Sequence, residues 1–168
     1  MASGDLLAQF TALHNEPPAA SFAQLDTRNG HPVLDFSGTP PDEEAVFRAS
    51  IPPNYSGGGL TVQLLVAFTS ATTGTSRWQA DIERILAGTL DIDADSFTGT
   101  FQSAGLAANG TSGVPDTVSI TFTSGAQMDS LAAGEWFRLK VRRDADGTSG
   151  TDDITTDAEL LGVRVLET

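Results

Sequence analysis

Leu60-Thr-Val-Gln-Leu-Leu-Val-Ala-Phe68 shows the pattern from which the fold can be predicted. Its even-numbered positions are all apolar, whereas Thr61 and Gln63 fall on the opposite side. A period of two residues is that of a β-strand, because successive side chains of a strand point to opposite faces of the sheet. The segment therefore predicts a strand with one face packed on a core.

The same alternation recurs along the chain and predicts further strands. It is clear in four other segments: residues 77–83, 117–123, 135–142 and 161–165. It is weaker in segments bounded by Gly, Pro, Asn or Asp: residues 6–13, 33–36, 45–51 and 97–103. Only residues 124–133 resemble a helical turn. We therefore expect an all-β fold, a single-domain antiparallel β-sandwich or jelly roll of about nine strands with at most one short helix.

The alternation also predicts which side chains form the core. They are the inward apolar members of the strands: Val62, Leu64, Val66, Trp78, Ile82, Val118, Ile120, Phe122, Phe137, Leu139, Val141, Leu161 and Val163. Residues 14–32 and 103–116 are predicted to be long connections, of the kind that are either disordered or used for contacts. Residues 1–168 are expected to form one domain.

The composition excludes several classes of protein. The 168 residues include 22 acidic and 9 basic side chains, and the resulting net charge of −13 repels nucleic-acid phosphates and anionic lipid. No segment approaches the roughly 18 apolar residues of a membrane-spanning helix, and the N-terminus lacks the pattern of a signal peptide. The absence of cysteine excludes disulfides and Cys-ligated zinc. We expect neither a nucleic-acid nor a membrane partner.

Catalytic chemistry has little support in the sequence. The two histidines, His14 and His31, lie in turn-rich segments and belong to no metal-binding spacing. The single lysine, Lys140, falls within an alternating strand, and there is no nucleophile elbow, phosphate loop or His-Glu-x-x-His motif. We expect no catalytic residue, no cofactor and no enzymatic activity.

One acidic cluster is a weak candidate for a metal site, and it consists of Asp91, Asp93 and Asp95. Carboxylates at every second residue are typical of the first half of an EF-hand calcium loop. However, Ser96 and Gln102 stand where that loop requires Gly and Glu. We favour a polar turn, with a loose calcium site as the alternative. A second acidic stretch, residues 144–153, is interpreted as a solvated hairpin loop.

Two regions are candidates for an interface. Trp136 and Val46 fall on the outward faces of their predicted strands, and clustered outward apolar groups mark contact surfaces. Arg138, Lys140 and Arg142 share the face of Trp136, where we expect them to pair with acidic side chains such as Asp81 and Glu83 rather than with nucleic acid.

The N-terminus is the second such region, because four apolar side chains cluster there: Leu6, Leu7, Phe10 and Leu13. Two interpretations stay open. Residues 6–13 are either the first strand of the sandwich or part of an extended arm and connection, residues 1–32, whose apolar groups become buried against a partner.

Several strings of sequence resemble small structural proteins of tailed-bacteriophage virions, from Met1 to Glu167. They are Met1-Ala-Ser-Gly-Asp5, Asn15-Glu-Pro-Pro18, Leu25-Asp-Thr-Arg-Asn-Gly-His-Pro-Val-Leu-Asp-Phe36, Gly57-Gly-Gly-Leu-Thr-Val62, Asp91-Ile-Asp-Ala-Asp-Ser-Phe97, Ala126-Gln-Met-Asp-Ser-Leu131 and Glu135-Trp-Phe-Arg-Leu139. Within that group, the chain resembles head decoration (cement) proteins of jelly-roll type.

This resemblance implies a non-enzymatic role on the capsid exterior of a virion, after synthesis in the host cytoplasm. The partner would be the major capsid protein at capsomer junctions, and the protein would associate with itself, as a trimer, to stabilise the mature head. The alternative is a receptor- or carbohydrate-binding jelly-roll module of a head or tail fibre, with loop aromatics such as Tyr55 as its binding platform.

Overall fold

The computed structural model describes residues 2–168, so that Met1 lies outside the described part of the domain. These residues form ten β-strands: β1 (Leu6–Thr11), β2 (Gln24–Arg28), β3 (His31–Phe36), β4 (Glu43–Ser50), β5 (Leu60–Phe68), β6 (Thr75–Ile85), β7 (Gln102–Ala107), β8 (Asp116–Phe122), β9 (Trp136–Arg143) and β10 (Ala158–Glu167). Between the strands, Ala12–His14 and Ala126–Met128 form short 3₁₀ turns. No helix in residues 2–168 is long and apolar enough to cross a membrane.

The strands form two antiparallel sheets packed face to face. The six-stranded sheet has the order β2-β3-β10-β5-β8, with β1 pairing along the second half of β10. The four-stranded sheet has the order β4-β9-β6-β7. This arrangement confirms the predicted all-β sandwich of jelly-roll type.

The core lies between the two sheets and follows the alternation of the sequence. Leu60, Val62 and Leu64 of β5 are fully buried, and Trp78 of β6 meets Phe36 of β3 edge to face, with 5.0 Å between ring centroids. Each predicted core side chain is buried except Leu161.

Leu161 departs from the prediction because β10 contains a β-bulge. The pairing register with β5 shifts between Leu160, which lies opposite Val66, and Gly162, which lies opposite Leu65. The extra residue changes the alternation, so that Leu160 faces the core and Leu161 is half-buried on the outer face.

Some predicted boundaries are wrong for identifiable reasons. The predicted connection 14–32 contains β2, which pairs with β3 around a tight turn in which Asn29 and Gly30 both have positive φ. Asn-Gly is the preferred pair for such a two-residue hairpin turn. The strand predicted at 97–103 begins at Gln102, and the predicted helical turn is reduced to Ala126–Met128.

The N-terminal segment forms an integral strand of the sandwich, β1. Leu7 and Phe10 are buried in the core, where the ring of Phe10 stacks on Phe47 with 5.2 Å between centroids. Of the two interpretations of residues 6–13, the first strand of the sandwich therefore holds, and Leu7 and Phe10 are core side chains rather than anchors of an arm. Leu6 and Leu13 are exposed, and their role in an interface stays a prediction.

Val46 is also buried, at 1% exposure, although it lies on the outward face of β4. The connection between β1 and β2 runs beside this edge strand: Val46 N–H donates to Asn15 Oδ1 at 3.0 Å, and Glu16 N–H donates to the Val46 carbonyl at 2.7 Å. The expectation that Val46 is an exposed interface residue is corrected, because the protein covers this edge with its own chain.

Candidate functional site

The outer face of the six-stranded sheet carries a groove built from three neighbouring strands. Gln9 of β1, Arg164 of β10 and Gln63 of β5 are cross-strand partners and form one polar row. Strand alternation places these side chains outward, because Phe10, Val163 and Leu64 beside them face the core.

The next row of the same face is less polar than the first. Gly162 of β10 stands between Thr11 of β1 and Leu65 of β5. Gly162 has no side chain, and a Cβ atom there would lie 3.2 Å from the carbonyl oxygen of Phe10. The groove is therefore deeper at the bulge, and Leu65 and Leu161 line its floor.

A second depression, with a volume of ≈390 Å³, borders the first at Leu161 and reaches the β2–β3 hairpin. Arg28 and His31 line it on the hairpin side, and Pro115 lines it on the side of the β7–β8 loop. The guanidinium of Arg28 is bound to the carboxylate of Glu159 and donates to the Phe68 carbonyl at 3.1 Å. We call the two depressions together the outer groove; it runs from Gln9 to the hairpin.

Arg164 is the unusual group in the outer groove. Eight of the nine basic side chains form a hydrogen bond or an ion pair within the domain. Among residues 2–168, the exposed guanidinium of Arg164 has no such partner. Beside it, Gln63 donates to Ser119 Oγ at 3.4 Å, which leaves its carbonyl oxygen as an acceptor. The row thus offers both donors and acceptors to a ligand.

Asp91, Asp93 and Asp95, the predicted acidic cluster, are not among the described carboxylates that converge within 4.8 Å of one another. Asp91 Oδ1 accepts a hydrogen bond from Asp93 N–H at 3.0 Å. This local bond closes a turn, as in the polar-turn interpretation.

A different set of carboxylates does converge: ligand atoms of Asp42, Asp144 and Asp146 lie within 4.8 Å of one another. Burial acts to raise the pKa of Asp144, but hydrogen bonds from Ser149 and Thr148 outweigh it and hold that pKa below its ordinary value. Hydrogen bonds from Thr148 and Ser149 thus reach both oxygens of Asp144.

The cations on the outward face of β9 are paired with acidic side chains of their own domain. Arg138 pairs with Glu83 at 2.7 Å and Lys140 with Glu44 at 3.1 Å. The ring of Phe97 lies over both cations: its centroid is 4.9 Å from Arg138 Cζ and 4.6 Å from Lys140 Nζ. This face is therefore neutralised and covered.

Three large apolar side chains surround a small groove beside β2, and they form what we call the apolar patch. They are Leu13, Phe22 and Leu25, which are 66%, 45% and 59% exposed. β2 is the last strand of its sheet, so that no described strand pairs with its other edge. Only Leu13 of this set is predicted from the sequence as an interface residue, because Phe22 and Leu25 lie in the segment predicted as a connection.

The exposed aromatic of the predicted interface is Trp136, which is 52% exposed beside Ile85 and Arg48. Tyr55 is 5% exposed, and its hydroxyl donates to the Gly58 carbonyl. The expectation that Tyr55 is a binding platform is therefore wrong, because its ring belongs to the core.

Comparison with solved structures places this jelly roll among similar β-sandwiches. The chain is similar to a family 36 carbohydrate-binding module in complex with calcium and xylotriose, with a TM-score of 0.52, 11% identity, and coverage of 95% of this chain and 99% of that chain. It is also similar to a family 35 module from an environmental isolate, with a TM-score of 0.54, 13% identity, and 95% and 92% coverage.

A third similar structure is the C-terminal family 6 module of LamC, a laminarinase of Zobellia galactanivorans, with a TM-score of 0.51, 15% identity, and 95% and 98% coverage. Identities this low support a common fold. No family model matches the sequence, and no curated protein matches it either.

Proposed function

We propose that this protein is a non-catalytic carbohydrate-binding module whose ligand lies in the outer groove. The observation that carries the proposal is the row Gln9, Arg164 and Gln63 above an apolar floor, in a groove that continues to the β2–β3 hairpin.

The chemistry of the outer groove suits a sugar chain. A sugar ring presents hydroxyl groups at its edge and C–H groups on its faces, so it needs polar and apolar contacts side by side. Amide and guanidinium groups bind hydroxyls with two donors or with a donor and an acceptor. Leu65 and Leu161 offer dispersion contacts to the C–H faces. Because the groove extends across several strands, it suits an oligosaccharide rather than a single enclosed sugar.

The fold supports the same proposal. The similar modules match over 92% to 99% of their own length, so the chain has the size of one such module. An isomalto-dextranase of Arthrobacter globiformis T6, in complex with panose, matches over 22% of its chain, which corresponds to one module-sized part of a larger protein.

Affinity electrophoresis in gels that contain soluble polysaccharides tests the proposal. Retardation by at least one polysaccharide is expected, and the double variant Gln63→Ala, Arg164→Ala is expected to lose it. Arg48→Ala is the matched control, because Arg48 is exposed on the other sheet and is paired with Glu16 at 2.9 Å. Retardation by none of a broad set of glycans, or equal loss in the control, would overturn the proposal.

Head decoration is a second candidate function, and the apolar patch favours it. Leu13, Phe22 and Leu25 present apolar surface beside the free edge of β2, and such a combination is typical of a site where a partner strand or surface docks. The partner would be the major capsid protein, and the decorating unit would be a trimer on the capsid exterior.

Co-sedimentation with undecorated capsids tests this second candidate. The variant Phe22→Ser, Leu25→Ser should remain folded, since both side chains are exposed, yet fail to sediment with the capsids. Ile92→Ser is the matched control, because it removes an 80% exposed apolar side chain from the connection between β6 and β7, away from the apolar patch. Wild-type sedimentation of the double variant would exclude the apolar patch as the contact.

A further inference from the structure

The outer groove is free of negative charge around Arg164, in a protein whose net charge is −13. None of the described residues that line this part of the groove is acidic. Its cross-strand neighbours Gln9 and Gln63 are neutral amides. The positive charge of Arg164 is therefore not compensated locally.

Arg28, the other arginine of the outer groove, provides an internal comparison. Its guanidinium is bound to Glu159, which is buried under it, so this charge is already neutralised by the domain. The two arginines of the outer groove thus differ: Arg28 has a carboxylate partner within the domain, whereas Arg164 faces the solvent without one.

We propose that the outer groove selects acidic sugars, and that the carboxylate or sulfate group of such a sugar binds the guanidinium of Arg164. This inference rests on the proposed carbohydrate-binding function and names its substrate class. A guanidinium offers parallel N–H donors whose geometry matches two oxygens of a carboxylate or a sulfate. Gln9 and Gln63 then bind hydroxyl groups on either side, and Leu65 lies under the ring.

The net charge of the protein strengthens this assignment. A general attraction to polyanions is excluded by the surplus of 13 negative charges, so that binding of an acidic glycan requires a specific cationic contact. Arg164 is the basic group among residues 2–168 that remains available for it.

Isothermal titration with matched pairs of polysaccharides tests the inference on the full chain. One pair is polygalacturonate and its methyl-esterified form, which share a backbone and differ in the carboxylate charge. The other pair is a sulfated galactan and its desulfated form. The variants are Arg164→Gln and, as matched control, Arg48→Gln; their thermal midpoints verify that they are folded.

The wild type is expected to bind one acidic polymer at least about tenfold more tightly than its neutral counterpart. Arg164→Gln should remove that preference, Arg48→Gln should keep it, and the responding pair identifies the group as carboxylate or sulfate. Equal binding of charged and neutral forms would overturn the inference and leave the proposed function standing. A preference that persists in Arg164→Gln would overturn the role of Arg164. Binding of no polymer, charged or neutral, would overturn the proposed function and the inference with it.

Discussion

Arg143 and Asp152 form a buried, two-pronged ion pair, in which Arg143 Nε and Nη2 donate to Asp152 Oδ2 and Oδ1, each at 2.9 Å. The two side chains are 0% and 1% exposed. Arg143 Nη1 also donates to the Thr156 carbonyl at 2.8 Å. Since Arg143 ends β9, the pair ties the long connection between β9 and β10 to the sandwich.

Removing one partner of this pair should destabilise the domain strongly. Asp152→Ala leaves the charge of Arg143 buried without a counter-charge, and such a change costs about 3 to 5 kcal/mol. Urea denaturation followed by tryptophan fluorescence measures the free energy of unfolding. Glu16→Ala, which breaks the exposed pair with Arg48, should cost less than about 1 kcal/mol. Similar small losses in both variants would contradict the assigned role of the buried pair.

Alanine substitutions on the two faces of β5 should differ in their effect on the free energy of unfolding. Leu64→Ala removes a fully buried side chain and should lower the free energy of unfolding by about 2 to 5 kcal/mol, through lost transfer energy and the remaining cavity. Leu65→Ala, one position along, truncates an exposed side chain and should cost much less. Denaturant titration of the two variants checks the register, and a larger effect at Leu65 would refute it.

Asp35 should make the stability of the domain dependent on pH. Burial, together with the negative charges of Glu159 and Asp26, raises the pKa of Asp35 to about 6. Because the folded state holds this proton more tightly than the unfolded chain does, the stabilisation is present at about pH 4 and is lost as the pH rises through about 6. Asp35→Asn keeps a neutral group there, so it should be more stable than the wild type at pH 7 and similar to it at pH 4. Urea titrations at both pH values test this, and a difference that does not change with pH would contradict it.

Removal of divalent cations should leave the thermal midpoint of the domain unchanged. The oxygens of Asp144 are already bonded by Thr148 and Ser149, and the Asp91 turn is closed by its own hydrogen bond. A cation that stabilised the fold would raise the midpoint by mass action. Differential scanning calorimetry with chelator and with added calcium measures this. A fall with chelator that calcium restores would show that the interpretation of these clusters is wrong.

The fold class was accessible from the sequence because alternation is a local property. The pattern of β5 predicts its buried face residue by residue, and the same holds for β8 and β9. Val46 could not be assigned in this way. Its burial depends on Asn15 and Glu16, which are distant in sequence and bind the backbone of Val46, Asn15 through its side-chain oxygen and Glu16 through its N–H.

The outer groove was harder to predict, because its polar row joins three strands that are far apart along the chain. Gln9, Gln63 and Arg164 each look like an ordinary outward residue until the sheet order is known. Two local signals were nevertheless present. Gly162 interrupts an alternating strand, which often marks a bulge, and Asn29-Gly30 is a strong hairpin signal.

The bulge in β10 also affects which sequence changes the domain can accept. Leu161 is one residue more than the pairing with β5 requires, since Leu160 and Gly162 already lie opposite consecutive residues of that strand. A lineage could lose this insertion and keep every core side chain in its place. The side chains that form the core and those that line the outer groove lie on opposite faces of β10, so the sequence of the outer face can change while the core packing is kept.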